Sequence, residues 1–549
     1  MRRWLKYFQI FYTNKVYVML LALTAACAYG FKVIHPTIGI DDTPYAYYFE
    51  EGLVAIVGRW VLFLLNKVIS IAEYAPFLTD FVAVLLLMVA VTVWGVLFYS
   101  IFEGQASKGQ IPFWGYLFFG AIFLSCPLIS EVFTYYLHNG IAIGYLASGI
   151  SLCFFREGLL KLEEGKRIIK LLPFVGTILG LWIAIGCYES FMIVWLLGIF
   201  LILLSERLAG VHRNVFVALA LAAGIAVFGI ILRSVMIGVV TGIFGLEDMQ
   251  DEAVQRSITE MAAWIFEPGA LSEFAMVLKR IYVMYGAFGL VYYPIRIFVL
   301  AAGIIALFSV WRALKNKDIW TFLLMVGGFV ASFILVIIEG KATLYRSAQF
   351  VPVICGYGIL LLCYICRDLQ RVSRTILLIL LCSILWNQCT DMNKWFYIDY
   401  MKYEYAKQTV ESIAYELEEN YDTSKPVVFT GTYEVPQGII GAAYVPYNSK
   451  EYYQLLRATA WLDDSLLDKF NRSYGVWVAQ TPSLSVIDWG RYAFDTNEEL
   501  IKFFEMHGYK LKPLLGMDYA AAEEYSLTLP HYPQQGSIVD RGDYIIVHF

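Results

Sequence analysis

The sequence predicts an α-helical polytopic membrane protein with about eleven transmembrane helices and a small C-terminal α/β domain. Three observations lead there. Only 16% of the residues are charged, 59% are hydrophobic and the mean hydropathy is +0.62, whereas a soluble domain carries roughly a quarter charged residues. The apolar residues arrive in blocks of about 17–23 with few charges, the length that crosses a hydrocarbon core. After residue 390 the pattern changes: 391–549 hold 13 Lys and Arg against 23 Asp and Glu, no cysteine and no spanning block.

Spans are expected near 16–34, 80–101, 112–128, 139–155, 168–187, 190–205, 214–232, 291–310, 319–338, 350–366 and 375–390. Met1–Lys15 is basic and aromatic, and no small-residue cleavage site follows the first apolar block, so that block is expected to stay as an anchor. The short loops then separate by sign. Arg156, Lys161, Lys166, Arg167 and Lys170 fall on one side, with Arg207, Arg213, Arg312, Lys315, Lys317, Arg367, Arg371 and Arg374. Together with Arg2, Arg3, Lys6 and Lys15 they fit the cytoplasmic face. The expected location is therefore the cell membrane, multi-pass, with a cytoplasmic N-terminus. The other face receives 35–79, 129–138, the turn Tyr188–Ser190, 233–290, 339–349 and everything after 390.

Residues 52–72 are apolar enough to be a span, but counting them would flip every later loop and place Arg156–Lys170 outside. Arg59 and Asn66, seven apart, would also share one helical face in lipid. An interfacial amphipathic helix is the expected form, and 272–290 reads the same way more weakly. The chain divides at 390: residues 1–390 form the membrane part, with a first outside loop at 35–79, and 391–549 form an extracytoplasmic α/β domain. There, strand-like KPVVFTG, YGVWVAQ and DYIIVHF alternate with helical MKYEYAKQTVESIAYELEENY and NEELIKFFEMHGY. No phosphate-cradling glycine loop occurs in this tail, so chemistry is expected elsewhere, and no nucleic-acid partner is expected. The nine cysteines lie in or beside apolar blocks and read as buried hydrophobes. The six histidines show no metal-ligand spacing.

The first outside loop reads HPTIGIDDTPYAYYFEEG, placing Asp41 and Asp42 close to the membrane between Gly39 and Pro44. A single Asp before Thr-Pro would be turn chemistry; an adjacent pair followed by Tyr45, Tyr47 and Tyr48 points to function. Such a pair suits passage of a sugar from a polyprenyl phosphate to a hydroxyl. Phosphate is already a weakly basic leaving group, so one carboxylate that takes the acceptor's proton suffices. Cations must then hold the charge that develops on the phosphate. Lys341 and Arg346, in EGKATLYRSAQFVP, are positive against the loop trend, and Arg59 and Lys67 sit on the interfacial segment. Arg346 is the preferred phosphate ligand because its loop is short; snorkelling to head groups is the ordinary role of such a side chain. Glu131 and Glu189 stand at outer helix ends, where a carboxylate is costly unless paired or functional. They either pair with Arg59 or Arg346 or bind sugar hydroxyls. Tyr188, with Tyr135, Tyr136, Trp264, Tyr292 and Tyr293, is first an interfacial aromatic and second a sugar-stacking ring.

At these residues the chain resembles the glucosyltransferase-II family of bacterial integral-membrane glycosyltransferases, named for O-antigen glucosylation. The resemblance runs through GIDD after the first helix, VGRW at 57–60, SCPLISEVFTYYLHNG at 125–140, GCYESF at 186–191, YRSAQFVP at 345–352 and DMNKWFYIDYMKYEYAK at 391–407. The closing LPHYPQQGSIVDRGDYIIVHF is also similar. It implies a GT-C-like architecture with an acidic motif in the first outside loop, and thus Asp41 or Asp42 as base or acceptor-orienting carboxylate. It also implies undecaprenyl-phosphate glucose as donor and a cell-surface glycan as acceptor. Arg59 and Arg346 carry over as donor-phosphate contacts. The Asp pair permits a divalent cation without requiring one. Two alternatives stay open: a flippase for lipid-linked sugar, and a GT-C transferase of another sugar. Against the flippase, the ionisable residues crowd one membrane face rather than the midplane.

Overall fold

The computed structural model describes residues 2–38, 51–69, 75, 77–103, 111–133, 138–163, 172–246, 263–287, 296–340, 347–431, 497–514 and 518–549. Helix predominates. The membrane part runs α1 (Arg2–Thr13), α2 (Lys15–Ile34), α3 (Glu51–Ile56), α4 (Trp60–Ile69), α5 (Leu78–Phe102), α6 (Phe113–Leu124) and α7 (Leu128–Val132). It continues with α8 (His138–Glu163), α9 (Leu172–Cys187), α10 (Phe191–Leu208), α11 (Val215–Phe244) and α12 (Ala270–Ile281). Then come α13 (Arg296–Asn316), α14 (Ile319–Ser332), α15 (Ile334–Glu339), α16 (Phe350–Ile365) and α17 (Arg371–Asn420).

Local chemistry sets the ends of several. The side chains of Asn14, Asn214 and Asp318 accept from Tyr17 N, Val217 N and Trp320 N and so open α2, α11 and α14. Gly245, at φ +64°, closes α11 in the left-handed conformation that a side chain resists. Each expected span overlaps a described helix, with 168–171 and 291–295 outside the described residues. Seven of the described helices are long and apolar enough to cross a membrane: α2, α5, α8, α10, α11, α13 and α17. The others, α6, α9, α14 and α16, are apolar but of 12–16 residues.

The bundle packs α5 on α8 and α8 on α9; α6 lies on α16, α10 on α14, α13 on α16 and α17 on α2. Small residues permit the closest approaches. A Cβ on Gly358 would stand 2.6 Å from the Ala301 backbone, and one on Gly180 would stand 3.1 Å from the Ala147 carbonyl. Buried polar atoms bridge helices inside this core. Trp94 Nε1 donates to the Tyr145 carbonyl at 3.0 Å, Trp195 Nε1 to Ser151 Oγ at 2.8 Å, and Tyr17 Oη to Thr92 Oγ1 at 3.1 Å.

At one end, Glu206 of α10 sits between Arg213, at 2.8 Å, and Arg156 of α8, at 3.3 Å. Arg156 Nη1 also donates to Ser100 of α5 at 2.8 Å, and Arg207 faces Asp318 at 3.7 Å. These arginines belong to the loops that charge bias assigned to one face, and the fold brings them to one end of the bundle. All three members of the Arg156–Glu206–Arg213 group are buried.

One expectation needs revision. The 52–72 segment is not one amphipathic helix on a lipid surface. It breaks at Gly58, φ +91°, into α3 and α4, of 6 and 10 residues. Its Trp60, Val61 and Phe63 are buried with Cys187 and Val240, so α9 and α11 cover its apolar face. Position 390 falls within α17, a single 50-residue helix in which the expected span and the amphipathic stretch are continuous.

The lower part of α17 buries Ala406, Val410, Ile413 and Leu417 against a four-stranded sheet and a further helix. The remaining elements are β1 (Pro426–Thr430), α18 (Asn497–Met506), β2 (Lys512–Pro513), α19 (Asp518–Ser526), β3 (Ile538–Asp540) and β4 (Ile545–His548). The strand order is β2-β1-β4-β3, with β1 parallel to β2 and β4, and β3 antiparallel to β4. Val427 pairs with Ile545 and Phe429 with Val547, placing their side chains on the α17 and α18 side. YGVWVAQ lies outside the described residues.

Removing the carboxylate of Glu206 leaves two buried guanidinium groups without their shared anion. Glu206→Gln is expected to lower the unfolding free energy by about 3–5 kcal/mol, read as a fall in thermal midpoint in detergent. A midpoint unchanged from the parent protein would refute this.

Candidate functional site

Residues 39–50, which include Asp41 and Asp42, and 341–346, which include Lys341 and Arg346, lie outside the described residues. What leads into the first of these is well defined. The backbone N–H of His35 caps α2 on the Phe31 and Lys32 carbonyls, while its ring stacks on Phe31 at 4.2 Å and meets Tyr400 of α17 edge-on at 4.8 Å. Lys32 Nζ donates to Thr37 Oγ1 at 2.6 Å and pairs with Asp399 at 3.7 Å, and the Thr37 hydroxyl donates to Asp399 Oδ2. Lys32 is 4% exposed, so the pair is almost free of competing water. The chain is therefore tied to α17 four residues before Asp41.

The VGRW turn forms a second corner. Gly58 N donates to Ala55 O and Arg59 N to Val54 O, each at 3.0 Å, closing the break between α3 and α4. The Arg59 guanidinium lies 4.7 Å from the centroid of the Tyr188 ring, a cation–π contact. Trp60 stacks on Trp182 at 4.6 Å, and it fits because Gly186 has no side chain: a Cβ there would lie 2.5 Å from the indole. VGRW and GCYESF are thus one interlocked unit. Arg233, from α11, also reaches this corner. Its Nη2 donates to the Val57 carbonyl at 3.3 Å and would stand 1.9 Å from a Cβ on Gly58. Glu189, exposed, and Arg59 both act electrostatically on Arg233.

A third group ties the remaining motifs together. His138 Nε2 lies 3.1 Å from Asp80 Oδ1, both buried, and the His138 ring stacks on Phe133, which meets Tyr29 at 4.7 Å. Asn139 donates to the Thr79 carbonyl, and Tyr29 Oη donates to the Leu124 carbonyl at 2.7 Å. Glu131 is 2% exposed in α7, which packs on α16 and α17. Tyr145 Oη lies 2.7 Å from both oxygens of Gln349, Ser125 Oγ donates to Gln388 at 2.9 Å, and Asn393 donates to the Cys27 carbonyl. Arg296 Nη2 donates to Asp391 Oδ2 at 3.0 Å. The segments 29–37, 57–60, 125–133, 138–140, 186–191, 349–352 and 388–402 therefore lie toward the bundle end opposite Glu206.

Of the expected site residues, Arg59 and Tyr188 touch one another, and Glu189 belongs to the same corner. Glu131 packs toward α16 and α17. Arg233, Asp80, His138 and Asp399 were missed by sequence reading. Arg233 had a signal, being the single charge in a 30-residue apolar helix, where an ionisable residue marks function or pairing. Asp80 and His138 are 58 residues apart and reveal nothing until α5 and α8 lie side by side.

Fold and geometry define a class first: a helical membrane protein whose polar side chains gather at one end, beside the segment carrying an acidic pair. Residues 30–363, more than half of the chain, match the model of the family described as glucosyl transferase GtrII, and the chain belongs to that family. It is accordingly a glycosyltransferase of the glucosyltransferase type. Comparison with curated protein sequences and with solved structures found no match.

The Lys32–Asp399 pair is expected to couple the first helix to α17. In a double-mutant cycle of Lys32→Met and Asp399→Asn, the coupling should be about 0.5–3 kcal/mol in thermal unfolding. Additive effects would show that the pair does not hold the stem.

Proposed function

We propose that this glycosyltransferase moves glucose from a polyprenyl-phosphate donor, undecaprenyl-phosphate glucose, to a cell-surface glycan on the extracytoplasmic side. In this reading the N-terminus is cytoplasmic, residues 1–390 form a GT-C-like transferase and 391–549 form an outside α/β domain that carries no chemistry. One observation supports it most: the family's motifs, far apart in sequence, meet around arginines and aromatic rings at the end of the bundle where the Asp41–Asp42 segment begins.

The chemistry follows from the residue types. Asp41 or Asp42 accepts the proton of the acceptor hydroxyl as its oxygen attacks the anomeric carbon. The bond from that carbon to the phosphate oxygen breaks, and the electron pair leaves on polyprenyl phosphate. That group departs with more negative charge than it brought, and Arg59 and Arg346 stabilise the increment. Glu131 and Glu189 are suited to accepting sugar hydroxyl protons in hydrogen bonds, and Tyr188 to holding Arg59 flat. Among the described residues no three His, Cys, Asp or Glu side chains converge as a cation cage. A divalent cation, if one binds, would be held by the Asp pair, and none of these steps is routed through it.

Purified protein in nanodiscs, given polyprenyl-phosphate glucose and a panel of cell-surface glycans, should transfer glucose. Asp41→Asn or Asp42→Asn should lower the rate by about 10²–10⁴-fold while leaving folding unchanged. Full activity in both variants would sink the role of the pair. Donor flipping in liposomes without transfer to any acceptor would favour the transporter.

Arg346→Lys loses the bidentate fork and should raise the KM for donor while sparing that for acceptor, measured in the same assay. Unchanged donor dependence would remove Arg346 from the phosphate site.

A further inference from the structure

At the bundle end that carries Glu206, three helices leave an open hollow of about 470 Å³. It is lined by Tyr99 and Glu103 at the close of α5, Pro112 and Phe113 at the start of α6, and Arg367 and Asp368 beyond α16. Ser100, beside Tyr99 in α5, takes the Arg156 hydrogen bond, so the hollow lies near the Arg156–Glu206–Arg213 cluster without sharing its residues. Its size falls within the range of about 300–1,000 Å³ that holds a small ligand.

One wall is aromatic, built where α1 docks on α5 and α6. Tyr7 meets Tyr99 edge-on at 5.5 Å, and Phe11 packs on Tyr99 and Phe113 at 5.4 and 5.2 Å. α1 leaves Leu5 and Tyr12 exposed, as a helix lying along a membrane surface does. The rest of the lining is charged, with the two signs held apart. Glu103 caps the C-terminal end of α5, the negative pole of the helix, where a cation rather than a carboxylate is favoured. It has no ion-pair partner among the described residues, and the Tyr99 hydroxyl donates to it.

Arg367 lies on the Tyr364 ring at 4.5 Å and pairs with Asp368 at 3.3 Å. The Asp368 side chain is 86% exposed, and a pair so open to water is weak enough to exchange for a ligand. α6 presents the opposite pole to the same hollow. Pro112 stands at its N-cap, and no side chain accepts from its first N–H groups.

We propose that this hollow binds the phosphoethanolamine head group of a membrane phospholipid. The ammonium lies with Glu103, at the negative end of α5, beside the faces of Tyr99 and Phe113. The phosphate lies with Arg367 and the uncapped first turn of α6. A wholly anionic head group would satisfy the second half and set negative charge against Glu103. A quaternary ammonium would lack the N–H that a carboxylate accepts. The source is a lipid because the hollow stands at the ends of apolar helices, beside the surface-lying α1, where head groups are found. The site is separate from the Asp41–Asp42 segment and independent of the donor proposed above. Its occupant would tie α5, α6 and α16 together at this end.

The test is lipid binding to the full chain in detergent, read by native mass spectrometry. The probes are phosphatidylethanolamine, phosphatidylcholine and phosphatidylglycerol with identical acyl chains. Phosphatidylethanolamine should bind about tenfold more tightly than phosphatidylglycerol, and more tightly than phosphatidylcholine. Equal binding of the three would overturn the proposal. Glu103→Gln keeps the shape, removes the charge and should erase the preference without weakening phosphatidylglycerol. Arg367→Gln should weaken all three. A folded Glu103→Gln that keeps the full preference would refute the site. If Glu103→Gln fails to fold, Glu103→Asp decides: its shorter reach should reduce the preference, and an undiminished preference refutes the site. Soluble glycerophosphoethanolamine should compete poorly against the lipid; competition equal to that of phosphatidylethanolamine would overturn the lipid as the source.

Discussion

Hydrocarbon offers no hydrogen-bond partner to a peptide group, and that constraint shapes this chain from its first span to its last. The backbone answers with helices that satisfy themselves, and the side chains answer by exiling charge to the ends. Where charge stays buried it does so in company. Glu206 holds two arginines at one end, and Asp80 faces His138 at the other. The bundle is thereby polarised into two kinds of end. One is closed by the Arg156–Glu206–Arg213 cluster between α8 and α10; at the other, Arg296 pairs with Asp391, Arg59 lies against the Tyr188 ring and Arg233 donates to the Val57 carbonyl.

A carboxylate between two guanidinium groups makes a stable, self-contained knot. The Arg59–Tyr188 and Arg233–Val57 contacts are of another kind, with a ring face against one guanidinium and a carbonyl accepting from the other. Gly58 of VGRW and Gly186 of GCYESF let two large groups, the Arg233 guanidinium and the Trp60 indole, sit where a side chain would otherwise exclude them.

The long helix α17 transmits this organisation outward. Its membrane half touches α2 and α6 through Gln388, Asn393 and Asp399, and its distal half supplies Ala406, Val410, Ile413 and Leu417 to the core of the mixed sheet. A helix bonded at every turn is stiff along its axis. The sheet is therefore linked to the stem of the Asp41–Asp42 segment through one continuous element rather than through a hinge.

Much of this was legible beforehand. Block length and charge content are properties of composition along the chain, and they located the seven long apolar helices without any knowledge of contacts. Loop sign grouped Arg156, Arg207 and Arg213 on one face. The acidic pair and the aromatic-flanked Arg59 stood out because such residues are expensive beside lipid. Tertiary structure alone decided the rest. Only packing shows that 52–72 breaks at Gly58 and tucks under α9 and α11, since an apolar run looks the same against lipid as against protein. Only packing joins α17 into one rod, and only packing carries Arg233 beneath a glycine 175 residues away. Side-chain composition decides which solvent each segment prefers; which segments meet depends on shape, and shape is settled when the helices pack.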